Sequence, residues 1–154
     1  MLQIIAIDKI KESWIREGID IYVKRLSNRL KLEIIELPAA KYSIYDNITK
    51  AKEFESLKIL SLLTGSDMVV ALDEKGSSYS TIAFSNLVFD TINHKHIKFV
   101  IGGAYGLHES IIDKADLVLN LSKMTFTHEM GRLFLVEQIY RAYTINAGIK
   151  YHNV

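Results

Sequence analysis

The chain is expected to form a single α/β domain, a doubly wound and mostly parallel sheet with helices on both faces. Three observations lead there. Short apolar runs of strand length alternate with longer segments whose apolar residues recur at helical spacing. Most of those runs are continuously apolar, as strands buried on both faces are. The 154 residues, about half of them apolar, fit one core. No internal repeat, linker or low-complexity segment divides the chain, so residues 1–154 are read as one domain.

"LQIIAI", Leu2 to Ile7, is the first strand. From Lys9 to Leu30, Ile10, Trp14, Ile15, Ile19, Tyr22, Val23 and Leu26 recur at helical spacing and predict the first helix. "LKLEIIEL" is the second strand, closed by Pro38, which cannot donate to a continuing ladder. Lys41 to Asp46 is the longest polar connection, and Asn47 is placed to cap a helix through Leu63. "DMVVALD" reads as a buried strand ending in the turn "EKGS", after which Ser80 or Thr81 opens a helix to about His94. "IKFVIGG" is another buried strand, followed by "AYGL" and a short helix from His108 to Lys114. "DLVLNL" is the last strand, and a long helix runs from about Thr127 to Asn146.

Composition excludes several chemistries. With no cysteine there is no disulfide framework, thiol nucleophile or cysteine-ligated zinc. No charged-then-apolar signal pattern opens the sequence and every apolar run is far short of a bilayer span, so a soluble cytoplasmic protein is expected. A formal charge of +1 argues against holding nucleic acid through a strong global field. A nucleic-acid partner has to be met by a local patch, for which Arg16, Lys24, Arg25, Arg29 and Lys31 are candidates. The alternative is a solvated helix face balanced by Glu12, Glu17 and Asp20.

Open parallel sheets bind ligands beyond the carboxyl ends of their strands, which singles out "ALDEKGS", "IGGAYGL" and "NLSKMTFTHEMGR". The glycines of the second, Gly102, Gly103 and Gly106, match neither nucleotide fingerprint; they make a tight turn or a cofactor cradle. In the third, Met124 and Phe126 alternate with Ser122, Thr125 and Thr127, an apolar and hydrogen-bonding lip suited to a flat ring. The pairs His108-Glu109 and His128-Glu129 lack the second histidine of a zinc protease, Ile112 and Arg132 standing in its place, and no metal is expected. His94 and His96 read as solvated loop residues.

Thr127 can cap the last helix and leave Glu129 in its first turn. Gly131 costs about 1 kcal/mol there relative to alanine, so either close packing, a ligand or a partner subunit needs the space. Glu137 and Arg141 stand at i and i+4, the spacing of an exposed salt bridge, while Arg132 and Arg141 are alternatively placed to face a phosphate. Tyr140 and Tyr143 read as packing residues. The tail "GIKYHNV" either frays or folds Tyr151 and His152 over a site, for stacking and proton transfer.

Taken together, "VALDEKG", "FVIGGAYGL", "LSKMTFTHEMGRLFLVEQIYRAYTI" and the terminal "YH" resemble the RlmH family of SPOUT methyltransferases over essentially the whole chain. The resemblance implies a cytoplasmic homodimer that uses S-adenosylmethionine to methylate N3 of a pseudouridine in large-subunit 23S ribosomal RNA; the near-neutral charge then favours an assembled ribosomal surface over free RNA as the expected substrate. It implies a carboxy-terminal trefoil knot, which periodicity does not reveal. By position it places the cofactor at Leu72, Gly103, Leu121, Ser122, Lys123, Met124, Thr125 and Phe126, and the catalytic groups at His152, Tyr151 and Arg141. His152 would accept a proton or position the substrate, Arg141 would contact phosphate or developing negative charge, and His128 is the second choice of base. Tyr105 stands where some relatives carry an acid, so no carboxylate role transfers there. The competing readings are a methyltransferase of this fold acting on another RNA or a small molecule, and a non-catalytic module that binds a nucleotide-like ligand.

Overall fold

The computed structural model describes residues 1–41 and 47–153. The connection expected at Lys41 to Asp46 therefore lies almost wholly outside the described residues. Five strands alternate with five helices: β1 (Leu2–Ile7), α1 (Ser13–Leu26), β2 (Leu32–Leu37), α2 (Ile48–Leu60), β3 (Asp67–Ser78), α3 (Thr81–Ile92), β4 (His96–Ile101), α4 (Glu109–Lys114), β5 (Leu117–Asn120) and α5 (His128–Asn146). The sheet order is β2-β1-β4-β3-β5 and every pairing is parallel.

Strand side chains alternate between faces, so each apolar strand feeds two cores. Ile4 of β1 pairs with Phe99 of β4, which pairs with Val70 of β3; these face the core shared with α1, α3 and α5. Their neighbours Ile5, Val100 and Ala71 face the opposite core, with Ile59 of α2 and Ile111 of α4. Burial of each large aliphatic side chain contributes about 1.5–3 kcal/mol. Two-sided burial explains why these strands read as continuous apolar runs.

The caps expected at Asn47, Ser80 and Thr127 form, each side chain accepting from the backbone N–H three residues on. The first helix ends at Leu26 rather than Leu30 and the second at Leu60 rather than Leu63, and two further boundaries differ because of residues distant in sequence. The first helix begins at Ser13 rather than Lys9, because the amides before it are engaged elsewhere. Ile10 N–H donates to Glu36, and Lys11 and Glu12 N–H donate to Glu129. The "EKGS" segment is part of β3 rather than a turn that ends it. The register against β5 shifts between Leu72 and Ser77, both of which pair with Leu119, so Asp73 to Gly76 bulge outward. Gly76 is required there, since a Cβ would lie 2.5 Å from the Val118 carbonyl oxygen.

At the amino ends of β3 and β4, the Lys98 ammonium lies 2.8 Å from the Asp67 carboxylate, both side chains nearly buried. Burial alone would raise the Asp67 carboxyl. Lys98, with the Thr64 hydroxyl and amide, more than offsets it and holds the group below its ordinary value of 3.8. A depressed folded-state value means that this contribution is complete above the unfolded-state value and is lost as pH falls through the folded one. Asp67→Asn is therefore expected to cost about 3–5 kcal/mol near neutrality, the cost of leaving a buried charge unpaired. In chemical denaturation, the gap between variant and wild type narrows as pH is lowered below about 4.

Candidate active site

The carboxyl ends of β1, β3, β4 and β5 open into a cleft of about 820 Å³. All three loops singled out in the sequence line it. The β3 bulge contributes Leu72 to Lys75, the glycine loop contributes Ile101 to Leu107, and the β5–α5 connection contributes most of its length. The β1–α1 connection adds Glu12 and Ile15, a wall that sequence reasoning missed. Its only signal was position, after the carboxyl end of a parallel strand.

Tight backbone contacts shape the glycine loop. Gly103 and Gly106 form an antiparallel bridge, Gly106 has φ +75°, and a Cβ on Gly102 would lie 2.5 Å from the Gly106 carbonyl carbon. A Cβ on Gly103 would meet Ile7 at 3.1 Å, so a side chain there presses on the sheet face rather than filling the cleft. What Gly103 offers a ligand is its backbone.

The β5–α5 connection is held open by its own polar residues. Asn120 accepts from Ser122 N–H while donating to the Glu74 carbonyl; Ser122 accepts from Met124 N–H; and the Thr125 hydroxyl donates to the Glu74 carboxylate at 2.8 Å. These bonds pin the loop to the β3 bulge and leave Met124 74% exposed and Phe126 40% exposed. Leu72, Gly103, Leu121, Ser122, Met124, Thr125 and Phe126 all line the cleft; of the expected cofactor residues only Lys123 does not.

The amino end of α5 forms the floor. Arg132 is fully buried, donating to the Glu36 carboxylate at 2.7 Å and to the carbonyls of Ile7 and Asp8. Burial draws its pKa below the ordinary value, with Glu36 and Glu129 opposing. This corrects the phosphate-facing alternative for Arg132: its guanidinium is enclosed in the fold, with both terminal nitrogens bonded and Nε without a hydrogen-bond partner among the described residues. Glu129, also buried, accepts from the Lys11 and Glu12 amides and so caps α1 from another element. His128 lines the cleft with Nε2 buried and without a hydrogen-bond partner among the described residues. A Cβ on Gly131 would meet nothing within 4 Å, which removes close packing within the chain as the reason for that glycine. Tyr105 lines the cleft and is 42% exposed.

The expected catalytic residues gather elsewhere. Tyr151 donates to the Glu137 carboxylate at 3.0 Å, Arg141 is paired with the same carboxylate, and Arg141 Nη1 lies 3.3 Å from His152 Nδ1. The Arg141 guanidinium stacks over the Tyr151 ring at 4.8 Å. The Glu137–Arg141 pair is thus the framework of a cluster rather than a solitary surface bridge. The bond to Glu137 raises the Arg141 pKa. Burial, with the hydrogen bonds to Tyr22 and Glu137, pushes the Tyr151 phenol well above its ordinary value. Arg141 lies ten residues past Gly131 on α5, about 15 Å along the axis at 1.5 Å per residue. Within one chain, the cleft lies at the amino end of that helix and the tail cluster packs further along it, from Glu137 to Arg141.

A family model described as "Predicted SPOUT methyltransferase" matches residues 1–152. A protein from Methanoregula boonei is 44% identical over 98% of both chains. "Ribosomal RNA large subunit methyltransferase H 1" of Clostridium perfringens is 40% identical over 98% of both, and "Ribosomal RNA large subunit methyltransferase H" of Cytophaga hutchinsonii 38% identical over 99% of both. The chain belongs to the RlmH family of SPOUT methyltransferases. Its fold is also that of a "probable methylase family protein" from Haemophilus influenzae Rd KW20, with a TM-score of 0.57 at 11% identity over 99% of this chain and 70% of the other. In this SPOUT methyltransferase the cleft is therefore the candidate methyl-donor site. Among the described residues no helix is long and apolar enough to cross a membrane.

Replacing Gly102 by alanine tests the loop. The added methyl group strikes backbone at 2.5 Å, which cannot move aside as a side chain would. Gly102→Ala should lower the thermal midpoint by several degrees and weaken donor binding in calorimetry by at least tenfold. Gly131→Ala, which meets open space, should leave the midpoint unchanged or raised.

Proposed function

We propose that the protein transfers a methyl group from S-adenosylmethionine to N3 of a pseudouridine in large-subunit 23S ribosomal RNA, acting on the assembled ribosome. The carrying observation is the cleft itself, mixed apolar and polar in its lining and open at Gly131, with an unpartnered buried nitrogen of His128 in that lining. The RNA and its class come from the names of the relatives.

The residues present fit such a donor. Leu72, Leu121, Met124 and Phe126 offer apolar walls to an adenine ring, Ser122 and Thr125 offer hydroxyls, and Gly103 offers backbone. When bound, S-adenosylmethionine supplies the electrophilic methyl group. The protein's remaining task is to present the base in line with it.

The tail cluster supports that task if a second copy brings it to the cleft, since within one chain it packs further along α5. Apolar side chains left exposed on the packed pair α1 and α5, namely Trp14, Ile21 and Phe134, suit such a homodimer. A guanidinium has only donors, so Arg141 must donate to His152 Nδ1, and the ring proton of His152 stands on Nε2. His152 thus presents an N–H, which favours the positioning role over the accepting one. Tyr151, its phenol held protonated, is no base either. Loss of the N3 proton spreads negative charge onto the flanking carbonyl oxygens of the base. Arg141 and His152 donate to that charge while the proton leaves to water.

The same proposal carries the trefoil threading of the carboxy-terminal segment and a cytoplasmic location.

Calorimetry with S-adenosylmethionine should show one saturable site per chain, and methyl transfer should be strongest on ribosomes or large subunits, with the modified base mapped by primer extension. No saturable binding would sink every enzymatic reading. His152→Ala should slow single-turnover transfer roughly 100-fold, the loss of one charge-stabilising donor. His152→Gln, which keeps an N–H donor and cannot act as a base, should retain most of the rate; a glutamine variant as slow as alanine would assign His152 the proton. Phe134→Arg should halve the mass in light scattering and abolish transfer while leaving the chain folded by circular dichroism.

A further inference from the structure

The cations after the middle of α1 form a surface that the cleft and the tail do not account for. From Ile21 to Leu32 the chain carries Lys24, Arg25, Arg29 and Lys31 and no acid. All are exposed, and among the described residues no carboxylate pairs with any of them. The acids that would have balanced them, Glu12, Glu17 and Asp20, stand earlier on the helix and make no such bridge.

Arg25 is held in an unusual way. Its guanidinium lies 5.5 Å from the centre of the Tyr22 ring and 5.6 Å from that of Tyr140. Cation–π contact immobilises the face of the group and leaves its N–H edge free. That edge matches the two oxygens of a phosphodiester, a geometry that lysine cannot reproduce. The rings that hold Arg25 also touch the tail: Tyr140 meets Tyr151 edge-on at 4.9 Å, and the Tyr22 and Tyr151 hydroxyls lie 3.5 Å apart. The cationic surface is therefore continuous with Tyr151, Arg141 and His152. With a formal charge of only +1, the chain has no global field to gather a polyanion, so local cations must do so.

We infer that the exit of α1, from Lys24 to Lys31, docks the phosphodiester backbone of an RNA strand, with Arg25 as its aromatic-held fork, and delivers that strand to Tyr151 and His152. The inference rests on the proposed RNA methyl transfer and adds the surface that receives the substrate. The contact is to backbone, so it sets affinity and register, while base choice belongs to the cleft and tail.

The test compares wild type, Arg25→Ala, Arg25→Lys and the pair Lys24→Gln/Arg29→Gln, using large ribosomal subunits as substrate at several salt concentrations. Arg25→Ala should raise KM roughly tenfold, with the loss falling on KM rather than kcat. The slope of log KM against log salt should fall by about one for each phosphate contact removed. Arg25→Lys should recover the salt slope but only part of the affinity. S-Adenosylmethionine binding and the mass in light scattering should match wild type. Unchanged KM and salt slope would overturn the inference, as would a monomeric Arg25→Ala, which would give the surface to the chain's own dimer. Should wild type methylate no RNA, the proposed function falls. Anisotropy of a fluorescein-labelled RNA hairpin then judges the surface by itself, equal affinity for wild type and Arg25→Ala overturning it.

Discussion

The buried guanidinium of Arg132 is the constraint on which the site depends. It stands at the carboxyl ends of the first two strands and joins three elements at once: Glu36 of β2, the Ile7 and Asp8 carbonyls at the exit of β1, and α5 from which it projects. An unpaired buried cation is costly, so the arrangement is rigid by necessity. Asp8, whose carbonyl it holds, takes a φ of +68°, a conformation that a non-glycine residue keeps only where its surroundings demand it. One turn earlier, Glu129 binds the amides that open α1. Through these two residues the amino end of α5, the exit of β1 and the start of α1 become one block, and the floor of the cleft is set before any ligand arrives.

That rigidity has a consequence for chemistry. The cleft lies at the amino end of α5 and the proposed catalytic tail packs further along it, from Glu137 to Arg141, so the rigid helix holds the two apart within one chain. The proposed function therefore assigns cleft and tail to different copies of the chain. Each end is also specialised in its electrostatics. The cleft sets the apolar side chains of Leu72, Leu121, Met124 and Phe126 beside charged and polar ones such as Glu12, Lys52, Asp73 and Glu74; the tail is organised around one carboxylate, Glu137, which aligns Arg141 and Tyr151, with Arg141 in turn meeting His152.

Much of this was legible beforehand, and for identifiable reasons. The parallel α/β class followed from apolar strands without alternation, because both faces of each are covered. Helix starts at Asn47, Ser80 and Thr127 followed from side chains that cap their own backbone three residues away. The three loops lining the cleft followed from a rule about where open sheets bind ligands. The misreadings share a cause as well. Extending the first helix back to Lys9 failed because Glu36 and Glu129, distant in sequence, take its first amides. Ending β3 before "EKGS" failed because β5 lies alongside and pairs on both sides of the bulge. Arg132 looked free because its carboxylate partner stands 96 residues earlier.

The sequence by itself determined the fold class, the family, the caps and which loops form the cleft, since all of these rest on local periodicity, local hydrogen bonding or motif order. Only the tertiary structure decided what the charged and small residues do. It buried Arg132, left the space beside Gly131 open, gathered Glu137 with Arg141, Tyr151 and His152, and set Arg25 against two adjoining tyrosines of different helices. The reason is physical. The energy of a charge depends on its partners and its solvent, and long-range packing assigns both.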